Sequence, residues 1–235
     1  MIESPESRNS KERILNAAER LFSERGFDGA SLRAITGEAG VNLASVNYYF
    51  RSKEELIKSV FARRLGPLNQ QRLALLDACE AAAGHRPAAI EDIIEALIGP
   101  VLRLGQEPDE QGASLKKLIG IMFHHPGPYI QGLFVEQMRE VATRFVAAFR
   151  RALPRVPVEE LFWRIHFSIG AMALTLVGSP VLGLISGGRC DPSDVDTAIE
   201  RFVAYAAGGL RAPSSAPKKK EYPRFKKTLS ARRKG

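Results

Sequence analysis

Residues 31–50 read SLRAITGEAGVNLASVNYYF, and their spacing decides the architecture. Leu32, Ile35 and Ala39 recur at the interval of one apolar helical face, predicting a short helix that opens at Ser31. Gly40 permits a tight turn, Val41 plugs the core, and Asn42 is placed to cap a second short helix. That helix carries Leu43, Ser45, Asn47, Tyr48 and Tyr49, and Phe50 closes the unit. Two short helices across a glycine turn, the second with a polar outer face, have the form of a helix-turn-helix. A helix laid against base edges needs side chains that donate and accept hydrogen bonds while its other face stays packed, and this one offers them. Two helices and a turn also occur as a plain packing unit, so spacing alone does not assign the use.

Working outward, Ser10 is expected to cap a first helix through Ile14, Ala18, Leu21 and Phe22, with Gly26 as its stop. Ser52-Lys53-Glu54-Glu55 is a capping box, opening a fourth helix past Leu56, Ile57, Val60 and Phe61. At Gly66-Pro67 that helix either kinks or restarts, and Gly84 to Pro87 end it. Further helices are predicted over 88–104, 114–123 and 130–152, the last with Ile130, Leu133, Val141, Phe145 and Phe149 along one face. A helix from about Val158 to Val177 is apolar all round in its second half, which predicts deep burial, and Asp191-Pro192 starts a final one. No stretch alternates as a strand and no repeat recurs, so the fold class is all-α.

The chain has 235 residues and is 45% hydrophobic, enough for a full core. Cys79 and Cys190 are too few for a disulfide framework. No apolar stretch follows Met1, so a secretory signal is not expected and the expected location is cytoplasmic. Phe167 to Ile185 runs without a charge, but Gly170, Gly178, Ser179, Pro180 and Gly183 read as a helix end and loop, so no membrane span is expected. From residue 212 onward nine Lys and Arg stand against Glu221 alone, which accounts for the whole net charge of +8; residues 1–211 hold 25 basic and 25 acidic groups. That segment follows a Pro-Ser-Ser-Ala-Pro linker and has little to bury, so a disordered basic tail is expected, either solvated or drawn to phosphates.

The segment Lys11 to Leu56 resembles the N-terminal DNA-binding domain of the TetR family of bacterial transcription regulators. The residues that carry the resemblance are RILNAAERLFSERGFDGAS, LRAITGEAGV, NLASVNYYF and RSKEEL, four helices in order. The resemblance implies that Ser31, Arg33, Tyr48 and Lys53 hold phosphates, and that Asn42, Leu43, Ser45, Asn47 and Tyr49 meet the bases of a double-stranded operator. It also implies a larger helical domain at 56–211 that forms a two-fold homodimer through the helices at Val158 to Val177 and Asp191 to Leu210 and encloses a small-molecule pocket. The expected organisation is a flexible arm at 1–9, the helix-turn-helix domain at 10–55, the effector and dimerisation domain at 56–211, and the tail at 212–235.

Pocket candidates are Met122, Phe123, His125, Tyr129, Phe134, Met138, Trp163, His166 and Met172, soft and aromatic groups with few polar ones; plain core packing explains the same residues. His124, His125 and His166 lack an acidic or cysteine partner at ligand spacing, so no metal or cofactor is expected. The sequence contains no G-x-S-x-G, no glycine-rich phosphate loop and no H-E-x-x-H, which leaves no footing for an enzyme. The expectation is a repressor released from a palindromic operator by a small apolar or aromatic effector. The alternatives are a DNA-bound adaptor or architectural protein whose C-terminal domain meets a protein partner, and largely non-specific binding through the tail.

Overall fold

The computed structural model describes residues 5–106, 120, 127–177, 180–191 and 193–214. Among them nine helices follow one another: α1 (Pro5–Gly29), α2 (Leu32–Ala39), α3 (Leu43–Phe50), α4 (Lys53–Ala83), α5 (Ile90–Gln106), α6 (Pro128–Ala152), α7 (Val158–Val177), α8 (Pro180–Ile185) and α9 (Val195–Arg211). No strand occurs among the described residues, as the periodicity predicts. The helix expected over 114–123 and most of the basic tail lie outside the described residues.

The first helix starts earlier than its sequence suggests. α1 begins at Pro5, so Ser10 lies inside it and residues 5–9, expected in a flexible arm, are helical. Proline at the first helical position gives up an amide that has no intrahelical partner there anyway. Gly26 does break the helix, with φ 73° and ψ 171°, but one more turn follows. The break inserts Phe27 between Phe22 and Phe61, with ring centroids 5.4 and 5.5 Å away, and so seats α1 on α4.

α4 is a single helix of 31 residues, about 46 Å at 1.5 Å per residue, running through Pro67 without restarting. Its first half buries Leu56, Ile57, Val60 and Phe61 beneath α1, and its second half presents Leu68, Asn69, Arg72 and Leu76 to the larger bundle. There Ile93, Ile94 and Ile98 of α5, Phe145 and Phe149 of α6, Leu161 and Leu176 of α7, and Phe202 and Leu210 of α9 share one core. Arg164 ties α7 to α9: its Nη1 donates to the Leu210 carbonyl at 2.7 Å, filling an acceptor that the last turn of α9 leaves open. Glu160 pairs with the same guanidinium at 3.0 Å.

α7 departs from the expectation of deep burial. Leu161, Arg164, Met172 and Leu176 are buried, while Phe162, Trp163, Phe167 and Leu174 are 55%, 60%, 62% and 68% exposed in one chain. An all-round apolar helix must be covered on every side, yet its sequence does not say whether the same chain supplies the cover. No helix among the described residues is long and apolar enough to cross a membrane.

Candidate nucleic-acid interface

Local caps and contacts fix α3 in place. Ser31 caps α2 by accepting the Ala34 amide at 3.2 Å, and Gly40 ends it at φ 61°, donating to Gly37 and Thr36. Arg13 of α1 reaches across to donate from Nη2 to the Gly40 carbonyl at 3.0 Å. A Cβ at position 40 would stand 2.5 Å from that nitrogen and would make the guanidinium shift, while the left-handed backbone angle itself calls for glycine. Asn42 then caps α3, its Oδ1 accepting from the Ser45 amide at 2.9 Å and the Ser45 hydroxyl at 3.0 Å. Val46 and Phe50 are buried and anchor the inner face.

The outward face of α3 follows from that anchoring. Leu43, Asn47 and Tyr48 are exposed, Tyr48 to 79%, and Tyr49 is half-buried against the core. Of the two adjacent tyrosines, then, Tyr48 points out and Tyr49 leans in, their rings edge to face at 4.9 Å. The Asn42 carbonyl oxygen and the Ser45 hydroxyl are engaged with each other, so the Asn42 amide group is the part of that pair free to donate outward.

Charge is sorted on the same surface. Arg20 pairs with Glu38 and, at 3.3 Å, with Glu24, while Glu12 and Glu19 pair with Arg63 and Arg64 of α4. Arg33 and Lys53, two of the expected phosphate contacts, make no ion pair among the described residues; Arg33 and Ser31 are exposed and Lys53 is half-buried. Ser52 caps α4 by accepting the Glu55 amide at 3.2 Å, but its own amide donates to Phe50, so only half of the capping box forms. The Glu54 carboxyl is held below its ordinary range by its own backbone amide and then by the Ser52 hydroxyl, placing a fixed negative charge beside Lys53.

Arg51 was not singled out by the sequence, because nothing local marks a non-glycine residue for a left-handed backbone. It sits at φ 66°, the one positive φ on a non-glycine residue among those described, and its amide donates to Asn47 at 3.1 Å to end α3. Its side chain is exposed and lines an open groove of about 350 Å³ with Tyr49, Phe50, Glu55 and Ser59. A third cation is thereby added at the end of α3.

Behind the interface, Glu19 is buried between Arg63, 3.2 Å away, and Arg64. Arg63 also donates to Asn16 at 2.6 Å, and Lys58 of α4 pairs with Glu136 of α6 at 3.2 Å. α4 is thus fastened to α1 on one side and to α6 on the other.

The pocket candidates do not converge. Met122, Phe123 and His125 lie outside the described residues. Tyr129 is exposed near Glu55, Glu54 and Lys58, and partial burial followed by those carboxylates pushes its hydroxyl pKa up. Phe134 and Met138 pack inward from α6 and Met172 is buried, whereas Trp163 and His166 face outward in an aromatic cluster with Phe167. An apolar void of about 10 Å³, lined by Ile94, Ile98, Phe149, Ile165, Ile169 and Leu210 among others, has room for one water at most. No group of three or more His, Cys, Asp or Glu able to hold a metal occurs among the described residues.

Two family models match the chain: "Bacterial regulatory proteins, tetR family" over residues 14–60, and "Tetracyclin repressor-like, C-terminal domain" over residues 95–209. The probable HTH-type transcriptional regulator YttP of Bacillus subtilis is 40% identical over 50 residues, 21% of this chain and 24% of that protein. The HTH-type transcriptional regulator UidR of Escherichia coli is 40% identical over 55 residues, 23% of this chain and 28% of that protein. The chain therefore spans only about a quarter of the length of these curated relatives. Among solved structures, the transcriptional regulator FadR from Bacillus subtilis, in complex with stearoyl-CoA, superposes with a TM-score of 0.61 at 13% identity, over 84% of this chain and 98% of that one.

Proposed function

The chain belongs to the TetR family of bacterial regulators, and from that premise we propose that it is a two-fold dimeric repressor, released from a palindromic operator by a small effector bound in its C-terminal domain. The observation that carries the DNA-binding part is α3 itself. It is capped by Asn42, turned outward at Asn47 and Tyr48, and flanked by Arg33, Arg51 and Lys53, which make no ion pair among the described residues. In this reading Ser31, Arg33, Tyr48, Arg51 and Lys53 position the helix on phosphates, and Asn42, Leu43, Ser45, Asn47 and Tyr49 read bases.

The dimer is supported by the open faces of α7 and α9, where Phe162, Trp163, Phe167, Leu174 and Tyr205 are exposed in one chain. Two recognition helices related by a two-fold axis then require two half-sites about one helical turn of DNA or a multiple of it apart. The effector acts by differential affinity for two separations of those helices. The FadR relative in fold holds stearoyl-CoA, which supports a ligand in a domain of this architecture.

The test is binding of the full chain and of residues 1–211 to the DNA upstream of its own gene, with scrambled competitor, at two salt concentrations. Competitor-resistant binding by the truncation, lost in Asn47→Ala and Tyr48→Ala, is the expected result. Binding that vanishes with the tail, or that does not discriminate, refutes it. An operator affinity that no effector changes at saturation favours a protein partner instead, a reading helped by α8, where Leu184 and Ile185 are 80% and 81% exposed.

A further inference from the structure

The larger bundle contains a buried cation with no acid to balance it among the described residues. Arg72 of α4 is only 5% exposed. Its Nε donates to the Leu97 carbonyl of α5 at 2.8 Å, and its Nη1 donates to Asn69 Oδ1 at 3.1 Å. The remaining contact of Nη1 is the Met138 thioether, 3.9 Å away. Every one of these acceptors is neutral, and no carboxylate lies within 4.0 Å of the guanidinium among the described residues. Burial alone pulls its pKa down to about 10, which still leaves it charged.

A guanidinium buried without a counter-charge is unfavourable unless something else compensates it. Its neutral contacts fix its position, and one of them is displaceable: Met138 is unbranched, polarisable and only half-buried, and thioethers are weak acceptors. Phe134 lies one turn earlier on the same helix, also packed inward. An apolar wall therefore continues from the one contact of Arg72 that an anion oxygen would improve upon.

Resting on the reading that the C-terminal domain binds an effector, we propose that this effector is an amphipathic organic anion whose carboxylate pairs with Arg72, displacing the Met138 thioether, while its apolar body lies along Phe134. The charge that helix α4 buries then becomes the specificity element of the proposed site. A neutral molecule of the same shape leaves Arg72 as it is and gains only the apolar contacts.

The experiment compares decanoate with decan-1-ol, and 1-naphthoate with 1-naphthamide, by thermal shift and calorimetry on the full chain, with operator affinity followed in parallel. The carboxylates are expected to bind about tenfold or more tighter than their uncharged counterparts. That preference should disappear in Arg72→Gln and survive in Arg72→Lys, a pattern a purely structural hydrogen-bonding role for Arg72 would not give. Met138→Leu, which removes the thioether and keeps the volume, should fold and retain the preference even if the Arg72 variants do not fold. No carboxylate binding up to about 1 mM, equal binding of both members of each pair, or a preference unchanged in Arg72→Gln overturns the proposal. Carboxylates that bind through Arg72 without altering operator affinity leave the anion site standing and overturn effector release. Release by the neutral members alone does the reverse.

Discussion

Replacing Gly40 by alanine probes the joint that aims α3, and the structure separates its cost into two parts. The backbone at φ 61° is left-handed, which costs a residue with a Cβ about 1–2 kcal/mol. The new Cβ would stand 2.5 Å from Arg13 Nη2, so the guanidinium must leave and the 3.0 Å bond to the Gly40 carbonyl is lost, about 1 kcal/mol more at this exposed site. Gly40→Ala should therefore destabilise by about 2–3 kcal/mol and Arg13→Ala by about 1 kcal/mol. The double variant is the decisive one, because the bond can be lost only once and an alanine at position 13 leaves nothing for the Cβ to strike. It should cost about as much as Gly40→Ala alone, a coupling of about 1 kcal/mol. Urea denaturation followed by circular dichroism measures all four corners, and operator affinity should fall in Gly40→Ala beyond what its stability explains. Additivity within about 0.5 kcal/mol would refute the proposed contact between Arg13 and the turn.

Arg51→Gly removes a strained left-handed side chain, so it should raise stability by up to about 1 kcal/mol while weakening DNA binding and lowering the salt slope by about one; anisotropy titrations at several salt concentrations check it, and an unchanged slope takes Arg51 out of the interface. Glu19→Gln leaves Arg63 and Arg64 without their shared counter-charge. Because those partners are 26% and 15% exposed, the loss should be about 2 kcal/mol rather than the larger figure for a fully buried pair, and a neutral effect in urea melts would sink the clasp. Glu91 is held below its ordinary value of 4.5, first by the Arg211 guanidinium and then by its own backbone amide, so its contribution is present above that pH and is lost as pH falls through the depressed folded value. The difference in thermal midpoint between the native chain and Glu91→Gln should close below pH 4.5 and hold steady above it; a gap that persists at lower pH contradicts the pairing. Phe167→Glu, on the exposed face of α7, should yield monomers by light scattering with little change in the helical signal, and an unchanged mass would remove that face from the dimer.

What could be read from the sequence was what short-range chemistry determines. Ser31, Gly40, Asn42 and Ser52 act on backbone groups three or four positions away, and each ends or begins a helix where its spacing predicts. Spacing places the start of α1 at Ser10, a good cap in isolation, whereas the helix starts at Pro5, a good first residue further back, and only the chain as a whole chooses between them. Arg51 escaped because its left-handed angle is imposed by the junction of α3 and α4 rather than by its own preference. The pocket was least legible. Met138 and Trp163 both sit on amphipathic helices at apolar spacing, yet one turns toward Arg72 and the other toward the outside of the chain. Periodicity says that a face is buried, not what buries it.

Arg72 also escaped, since an arginine at position 72 looks like any solvated helix charge until the helices around it are in place, and its position has a mechanical consequence. It lies eight residues, about 12 Å, along α4 from Arg64, so one helix carries both the unbalanced charge of the bundle and the clasp on Glu19. Between them Pro67 removes the amide that would bond the Arg63 carbonyl, making that turn the softest place on the path. On either side the helix is tied at discrete points: Asn69 donates to the Gln137 carbonyl at 3.0 Å below, and Lys58 meets Glu136 above. Neighbouring residues of α6 thus hold both halves of α4 across its weak turn. A group drawn to Arg72 past Met138, on that same helix, must disturb these ties unequally, because the lower one is adjacent and the upper one is a proline away. Under the proposed anion site, these ties would pass a displacement at Arg72 to the segment that carries Arg63 and Arg64, with the Glu19 clasp keeping α1 to α3 fastened to it.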